Sequence, residues 1–237
     1  MTLGIMQPYF FPYLGYFDLI NRTDRWIVFD TPQYMRAGWV NRNRILHCRE
    51  GWQYIIVPIK KHKRETPINE VEAIDSPDWR RKIINQFTHY RGRAPFYHET
   101  ISLLEECLGG VEKNLSRMNT LILGKVCHYL GIPWKHEVLS EMNLKIGPVE
   151  GPGDWALRIS EAVGAREYLN PPGGVKLYDS ERFASCGIKL TIQESFEFQY
   201  NCPNYVFEPK MSVLDALMWN SPEDIKSHLD HLKAKPN

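Results

Sequence analysis

What the chain lacks narrows its class first. No segment of the 237 residues approaches the roughly 18 uninterrupted apolar residues needed to span a bilayer. No basic segment followed by an apolar stretch opens the N-terminus, so the chain is expected to stay in the cytoplasm. Cys48, Cys107, Cys127, Cys186 and Cys202 are odd in number, scattered and never spaced C-x-x-C, which argues against a disulfide framework and a structural zinc site. No P-loop, G-x-G-x-x-G or Ser elbow is present, nor any internal repeat or low-complexity run. His89, His98, His128 and His136 form no short ligand pattern, and His228 and His231 share a polar helical face without an acidic or thiol complement, so no bound metal is expected.

Strong net charge is also missing, but the near balance of +1 hides an asymmetry. Residues 1–100 hold 15 Lys/Arg against 10 Asp/Glu, and residues 101–237 hold 14 against 18, so an anionic ligand is expected at the first half. The densest run, Lys60-Lys61-His62-Lys63-Arg64, reads first as a solvated loop between strands and second as an anion or nucleic-acid patch, and a nucleic-acid partner is not expected from it alone.

Trp26–Phe29 and Tyr54–Val57 are short apolar runs bounded by turn formers and read as buried strands; Ile188–Ile192 alternates as a half-buried one. Ser76-Pro77-Asp78 supplies a cap, a first-turn proline and a carboxylate before Trp79, Ile83, Ile84, Phe87 and Tyr90 fall on one helical face. Further helices are predicted over 97–108, around 115–129, from Asp154 to Val163, over 212–219, and from Ser221 to near Lys235. Strands separated by helices predict one α/β domain over 1–237, with a mostly parallel sheet flanked by helices and a helical C-terminal part. The Gly/Pro-rich stretch 147–153 reads as a hinge, a linker or a site loop, and either the Gly151–Trp155 loop or the Asn170–Tyr178 loop could close over a ligand as a lid.

The most informative segment is Gln7-Pro8-Tyr9-Phe10-Phe11-Pro12-Tyr13-Leu14-Gly15-Tyr16. Two prolines four apart preclude a continuous helix there, so it reads as strand end, rigid loop and helix start. Gln7, Tyr9, Tyr13 and Tyr16 could donate to an anion placed over first-turn N–H groups near Gly15. Asp30, Gln33 and Tyr34 follow the Trp26–Phe29 strand, where ligands of parallel sheets collect, and Asp30 is a candidate base. If residues 41–44 are extended, Asn41 and Asn43 share one face and Arg42 and Arg44 the other, so an arginine could clamp an anion while the amides hold structure. Arg42 is taken with Asp30 as catalytic, and Tyr178 and Tyr200 as pocket hydroxyls.

QPYFFPYLGYFDLI, FDTPQY, WVNRNRI, VPIKK and YRGRAPFY, followed by SEAVGAREYL, YDSERF, GIKL and FEPKMSVLDAL, resemble the WbqC-like family over nearly the whole chain. The resemblance implies a role near bacterial surface-polysaccharide (O-antigen) or amino-sugar biosynthesis, with acyl or aminoacyl transfer onto a nucleotide-linked or phosphorylated small molecule. Its implied ligands are a nucleotide, a sugar nucleotide or an acyl donor. A layout resemblance is also present: Tyr13-Leu14-Gly15-Tyr16 has the spacing of the H-x-G-H signature of nucleotidylyltransferases and class I synthetases, and Lys210-Met211-Ser212 is similar to their late lysine-methionine-serine motif. That likeness implies a Rossmann-like, HUP-type fold and, as a second reading, an ATP-dependent ligase. Tyrosine in place of histidine keeps a donor but cannot become cationic near neutral pH. A third reading is a noncatalytic ligand-binding or pathway partner.

Overall fold

The computed structural model describes residues 1–234. Strands β1 (Thr2–Met6), β2 (Arg25–Val28), β5 (His136–Val138), β6 (Glu167–Asn170) and β7 (Lys189–Ile192) form one sheet in the order β5-β2-β1-β6-β7, every pairing parallel. β3 (Arg42–Leu46) and β4 (Trp52–Ile56) stand apart as an antiparallel hairpin. The helices are α1 (Leu14–Arg22), α2 (Pro77–Gln86), α3 (Tyr97–Leu108), α4 (Leu115–Tyr129), α5 (Asp154–Ala162), α6 (Ser180–Ser185), α7 (Val213–Trp219) and α8 (Pro222–Ala234). This is the parallel α/β arrangement with a helical C-terminal part that the sequence predicts. Lys235, where the sequence predicts the last helix to end, lies outside the described residues.

Alternation along the strands divides the core. Leu3, Ile5 and Ile27 face a cluster with Ala156, Leu157 and Ile159 of α5 and Phe183 of α6. Trp26, Val28 and Leu169 face the larger cluster that holds α1, α3, α4, α7 and α8. Gly4 in β1 permits close approach there, because a Cβ would lie 2.5 Å from the Trp26 ring. The helix starts obey their caps: Ser76 accepts from Asp78 N at 3.1 Å with Pro77 in the first turn, and Asn114 accepts from Arg117 N at 3.1 Å. His228 of α8 packs against Phe198, with ring centroids 4.9 Å apart.

One strand expectation needs correction. Tyr54–Val57, read as a buried strand, lies largely in β4 of the hairpin, with Ile55 and Val57 buried but Trp52 and Ile56 39% and 47% exposed on its outer face. The turn at Gly51, whose φ is +65°, returns the chain directly onto β3, and two adjacent strands joined so tightly pair antiparallel.

Candidate functional site

The strand order fixes where a ligand has room. β1 is central: the chain leaves it toward β2 on one side, and β6 later pairs with it on the other, so the order reverses between β1 and β6. Beyond the carboxyl ends of strands at such a reversal the connections diverge and open a crevice. A cleft of about 1110 Å³ lies there, lined by Gln7 after β1, Phe29 and Gln33 after β2, and the segment Asn170–Tyr178 after β6.

Its first wall is the Gln7–Pro12 loop, whose prolines prevent helix until Leu14. Phe11 sits at φ 41°, a left-handed conformation unfavourable for a bulky residue, and buried hydrogen bonds hold it there. Asn43 Nδ2 donates to Phe10 O and Phe11 O, each at 2.9 Å, and Ser212 Oγ donates to Phe11 O at 2.8 Å. Asn119 of α4 donates to Pro8 O at 2.8 Å and Val40 O at 2.7 Å. Tyr9 and Tyr13 line the cleft; burial, then the neighbouring Tyr13, pushes the Tyr9 phenol up, and burial, then Asp18, does the same to Tyr13. Both therefore stay protonated donors near neutrality.

Arg44, on β3, supplies the positive charge. Its guanidinium lies 5.1 Å from the Trp52 ring centroid and 5.5 Å from that of Trp39, and one amino group reaches Lys210 O at 3.3 Å. No carboxylate pairs with it among the described residues, and its Nε is buried without a hydrogen-bond partner. Two indole faces thus hold a guanidinium whose charge is unspent. Lys210, at φ 57°, is the cleft's other Lys/Arg residue, and Glu150 its one carboxylate residue; the lining contains no His, Cys or Ser.

The opposite wall consists of residues 149–155 and 170–178. Asp154 Oδ2 accepts from Glu150 N at 2.9 Å and Gly151 N at 3.2 Å, while Oδ1 meets Arg182 at 2.7 Å. The Glu150 N–H bond, then Arg182, holds the Asp154 carboxyl below its ordinary range against the opposing effect of desolvation. Gly153 is required where the two segments meet, since a Cβ would stand 2.0 Å from Leu177 O. Tyr178 presents a hydroxyl 3.4 Å from that of Tyr168, and burial pushes the Tyr178 phenol up.

Gln7, Tyr9, Tyr13, Gln33, Asn43, Arg44 and Tyr178 of the sequence-predicted set therefore meet at one cleft. Asn43 does so with its amide committed to backbone carbonyls, and Gln33 donates to Arg64 O at 2.7 Å. The rest are placed elsewhere. Tyr16 is 1% exposed and donates to Gln7 O at 2.8 Å, so the phosphate contact expected of it is not available. Gly15 offers space instead of contact: a Cβ would lie 2.3 Å from the Tyr13 ring. Asp30 is 1% exposed and absent from the lining; it accepts from Ser116 Oγ at 3.0 Å, Ser140 Oγ at 2.7 Å and Ser140 N at 3.0 Å. Those three donors make it a brace between β2, α4 and the segment after β5. Arg42, Tyr34 and Asn41 line a separate groove. Tyr200 lines a smaller cavity of about 240 Å³ and donates to the buried Asp215 at 2.5 Å. Residues of the lining not singled out as site residues include Trp39, Trp155, Phe29, Thr31, Glu150 and Lys210; Lys210 carried a signal in its Lys-Met-Ser context, Trp155 in a loop suited to a lid and Trp39 beside the Asn/Arg run, while Phe29 ends a buried strand.

Among the described residues no group of three or more His, Cys, Asp or Glu could hold a metal ion, and no helix is long and apolar enough to cross a membrane. No solved structure matches the chain. The uncharacterized protein Rv1507c of Mycobacterium tuberculosis (strain ATCC 25618 / H37Rv) is 30% identical over 224 residues, covering 91% of this chain and 92% of that protein. The sequence profile of the WbqC-like protein family matches residues 7–227, and the chain belongs to that family.

Proposed function

We propose that the cleft binds a nucleotide-linked or phosphorylated amino sugar and that the protein transfers an acyl or aminoacyl group onto its amine or hydroxyl, as a cytoplasmic step of surface-polysaccharide or amino-sugar biosynthesis. The observation that carries this reading is Arg44: a guanidinium without a carboxylate partner, held between Trp39 and Trp52 at the switch point of a parallel sheet. Lys210, Tyr9 and Tyr13 add donors for the same anion, and the aromatic lining suits a flat base or a sugar face.

The lining also bears on mechanism. The lining holds no His, Cys or Ser, and the proposed scheme is direct transfer between two bound substrates; a covalent intermediate would instead fall on Thr31, Lys210, Glu150 or a tyrosine. The acceptor's lone pair attacks the acyl carbonyl carbon, the carbonyl pair moves onto oxygen, and the leaving group departs as the acceptor's proton is released. Arg44 and Lys210 stabilise the negative charge that develops, and Glu150, the one carboxylate residue, takes the proton. Asp30 acts in this scheme only by positioning β2 and α4.

The test is a thermal-shift panel on wild type and Arg44→Ala with sugar nucleotides, acyl-CoA, amino acids and ATP with Mg²⁺. A ligand at 100 times its Kd stabilises the native state by about 2.7 kcal/mol, which is readily seen. A sugar-nucleotide shift that Arg44→Ala removes supports the reading; no shift with any sugar nucleotide or phosphorylated sugar overturns it. The ligase reading keeps one specific support, the convergence of Tyr13 and Lys210 on the same cleft. It takes over if ATP alone gives the Arg44-dependent shift.

A further inference from the structure

The segment 31–44 is a wall with two sides. Pro32, Gln33 and Trp39 face the cleft, while Tyr34, Arg36 and Ala37 face a second groove of about 630 Å³ whose far side is Lys60-Lys61-His62. The basic run that reads as a solvated loop is thus folded back onto Arg42. Gln33 Nε2 donates to Arg64 O at 2.7 Å, and Tyr34 N donates to Thr66 O at 2.9 Å, fastening it to the wall.

Arg36, Arg42, Lys60 and Lys61 line this groove, and no Asp or Glu does. Among the described residues Lys60 is the one of these four in an ion pair, with Glu72 at 2.5 Å. Arg42 is held in place: its guanidinium lies 4.1 Å over the Tyr54 ring, its Nε donates to Gly38 O at 3.3 Å, and an amino group donates to Ala37 O. That last bond grips a residue in the left-handed region, Ala37 at φ 62°, where a side chain is unfavourable. His62 is oriented too, its Nδ1 2.8 Å from Lys63 O and its ring edge-on to Tyr34 at 5.1 Å, which leaves Nε2 uncommitted.

Cations gathered in one concavity without a carboxylate repel one another, and an anion that enters relieves the repulsion and accepts their hydrogen bonds. We propose that this groove is a second anion site, distinct from the cleft, that takes a phosphate or diphosphate group through Arg36, Arg42 and Lys61. The charges converge on one hollow instead of tracking along a strand, which favours a compact phosphate over a nucleic-acid backbone. A phosphorylated ligand long enough to cross the wall would engage both sites.

Calorimetric titration with inorganic tripolyphosphate tests the proposal without requiring any catalytic activity. Wild type is expected to bind it, and Arg36→Ala/Lys61→Ala, two exposed side chains whose loss leaves the core intact, to bind at least about tenfold more weakly. Lys63→Ala/Arg64→Ala, which removes as much charge beside the groove but not in it, is expected to change binding less than about twofold. Equal losses in the two double variants would show diffuse charge and overturn the site. Arg44→Ala removes the anion binder of the cleft, so tripolyphosphate binding that survives it and falls in Arg36→Ala/Lys61→Ala belongs to the groove; loss of all binding on Arg44→Ala would assign the anion to the cleft alone and overturn the site, as would absence of binding by wild type. A nucleoside diphosphate serves as the ester arm: weakening in Arg36→Ala/Lys61→Ala supports an ester as the source, and indifference with tripolyphosphate still sensitive supports free phosphate. A ten-nucleotide single-stranded RNA that binds far more tightly than tripolyphosphate and depends on the same residues would replace the proposal with a nucleic-acid surface. These outcomes are separable from the sugar-nucleotide reading, whose test depends on Arg44.

Discussion

The two walls of the cleft are made differently. On the side of Gln7–Tyr16, buried amides and hydroxyls reach into the chain and satisfy its carbonyls: Asn43 to Phe10 and Phe11, Asn119 to Pro8 and Val40, Tyr16 to Gln7, Ser212 to Phe11. On the side of 149–155 and 170–178, most of the side-chain bonds are part-buried or exposed: Asp154 to the Glu150 and Gly151 N–H groups and to Arg182, Arg158 to Pro148 O, Asn170 to Pro171 O and the Tyr168–Tyr178 hydroxyls, with Gly153 packed on Leu177 O. Breaking a buried bond strands a polar group away from water, whereas breaking an exposed one exchanges it for water. The first wall should therefore behave as a fixed template and the second as the part that opens and closes.

The largest effect is expected where the fixed wall is cut. Asn119→Ala leaves Pro8 O and Val40 O without their donor, so a loss of about 2–4 kcal/mol is expected in urea unfolding. A loss below about 0.5 kcal/mol would remove the basis of the comparison. Next comes Gly15→Ala, whose added carbon would lie 2.3 Å from the Tyr13 ring and must displace it. Ligand affinity is expected to fall about tenfold while the urea midpoint changes less than for Asn119→Ala, because the ring moves and the backbone bonds remain. Unchanged affinity would take Tyr13 out of the ligand site.

Gly153→Ala acts on the other wall. A Cβ 2.0 Å from a backbone oxygen forces the 149–155 and 170–178 segments apart. Hydrogen exchange is expected to accelerate in those segments while β1 and α1 keep their protection; acceleration in both walls would show that they move as one.

The same contrast explains what was legible in the sequence. Local rules read the first wall's backbone well: Pro8 and Pro12 announce a loop before a helix, and the alternation of Asn41, Arg42, Asn43 and Arg44 places amides inward and guanidiniums outward, as the structure has them. They could not separate the arginines. Arg42 and Arg44 point to the same face of β3, but the 31–39 segment passes between the spaces they serve, and that path depends on contacts with residues 64–66. Asp30 and Tyr16 were misplaced for a related reason. A carboxylate after a strand and a tyrosine at a helix start are suited to ligands, yet Ser116, Ser140 and the Gln7 carbonyl, distant or across a turn, complete their hydrogen bonds first. β6 carried too weak a pattern in Glu167–Asn170 to be read as a strand, so the switch point that locates the cleft became visible only with the pairing of β6 to β1.

The smallest effect is a pH dependence confined to the second wall. The Asp154 carboxyl is held below its ordinary value chiefly by the Glu150 N–H, so the folded loop prefers the ionised form. Its contribution is fully present above the unfolded value of about 3.9 and is lost as pH falls through the lower folded one. Limited proteolysis by pepsin, which works in that acid range, should cut near 147–153 increasingly as pH drops below about 4, before β1 and α1 lose exchange protection. Asp154→Asn keeps a side-chain oxygen for one N–H but abolishes the titration, so its cleavage should be raised at every pH and free of that step. If the step persists in the variant, a carboxylate other than Asp154 carries it, and the assignment of the acid opening to Asp154 fails.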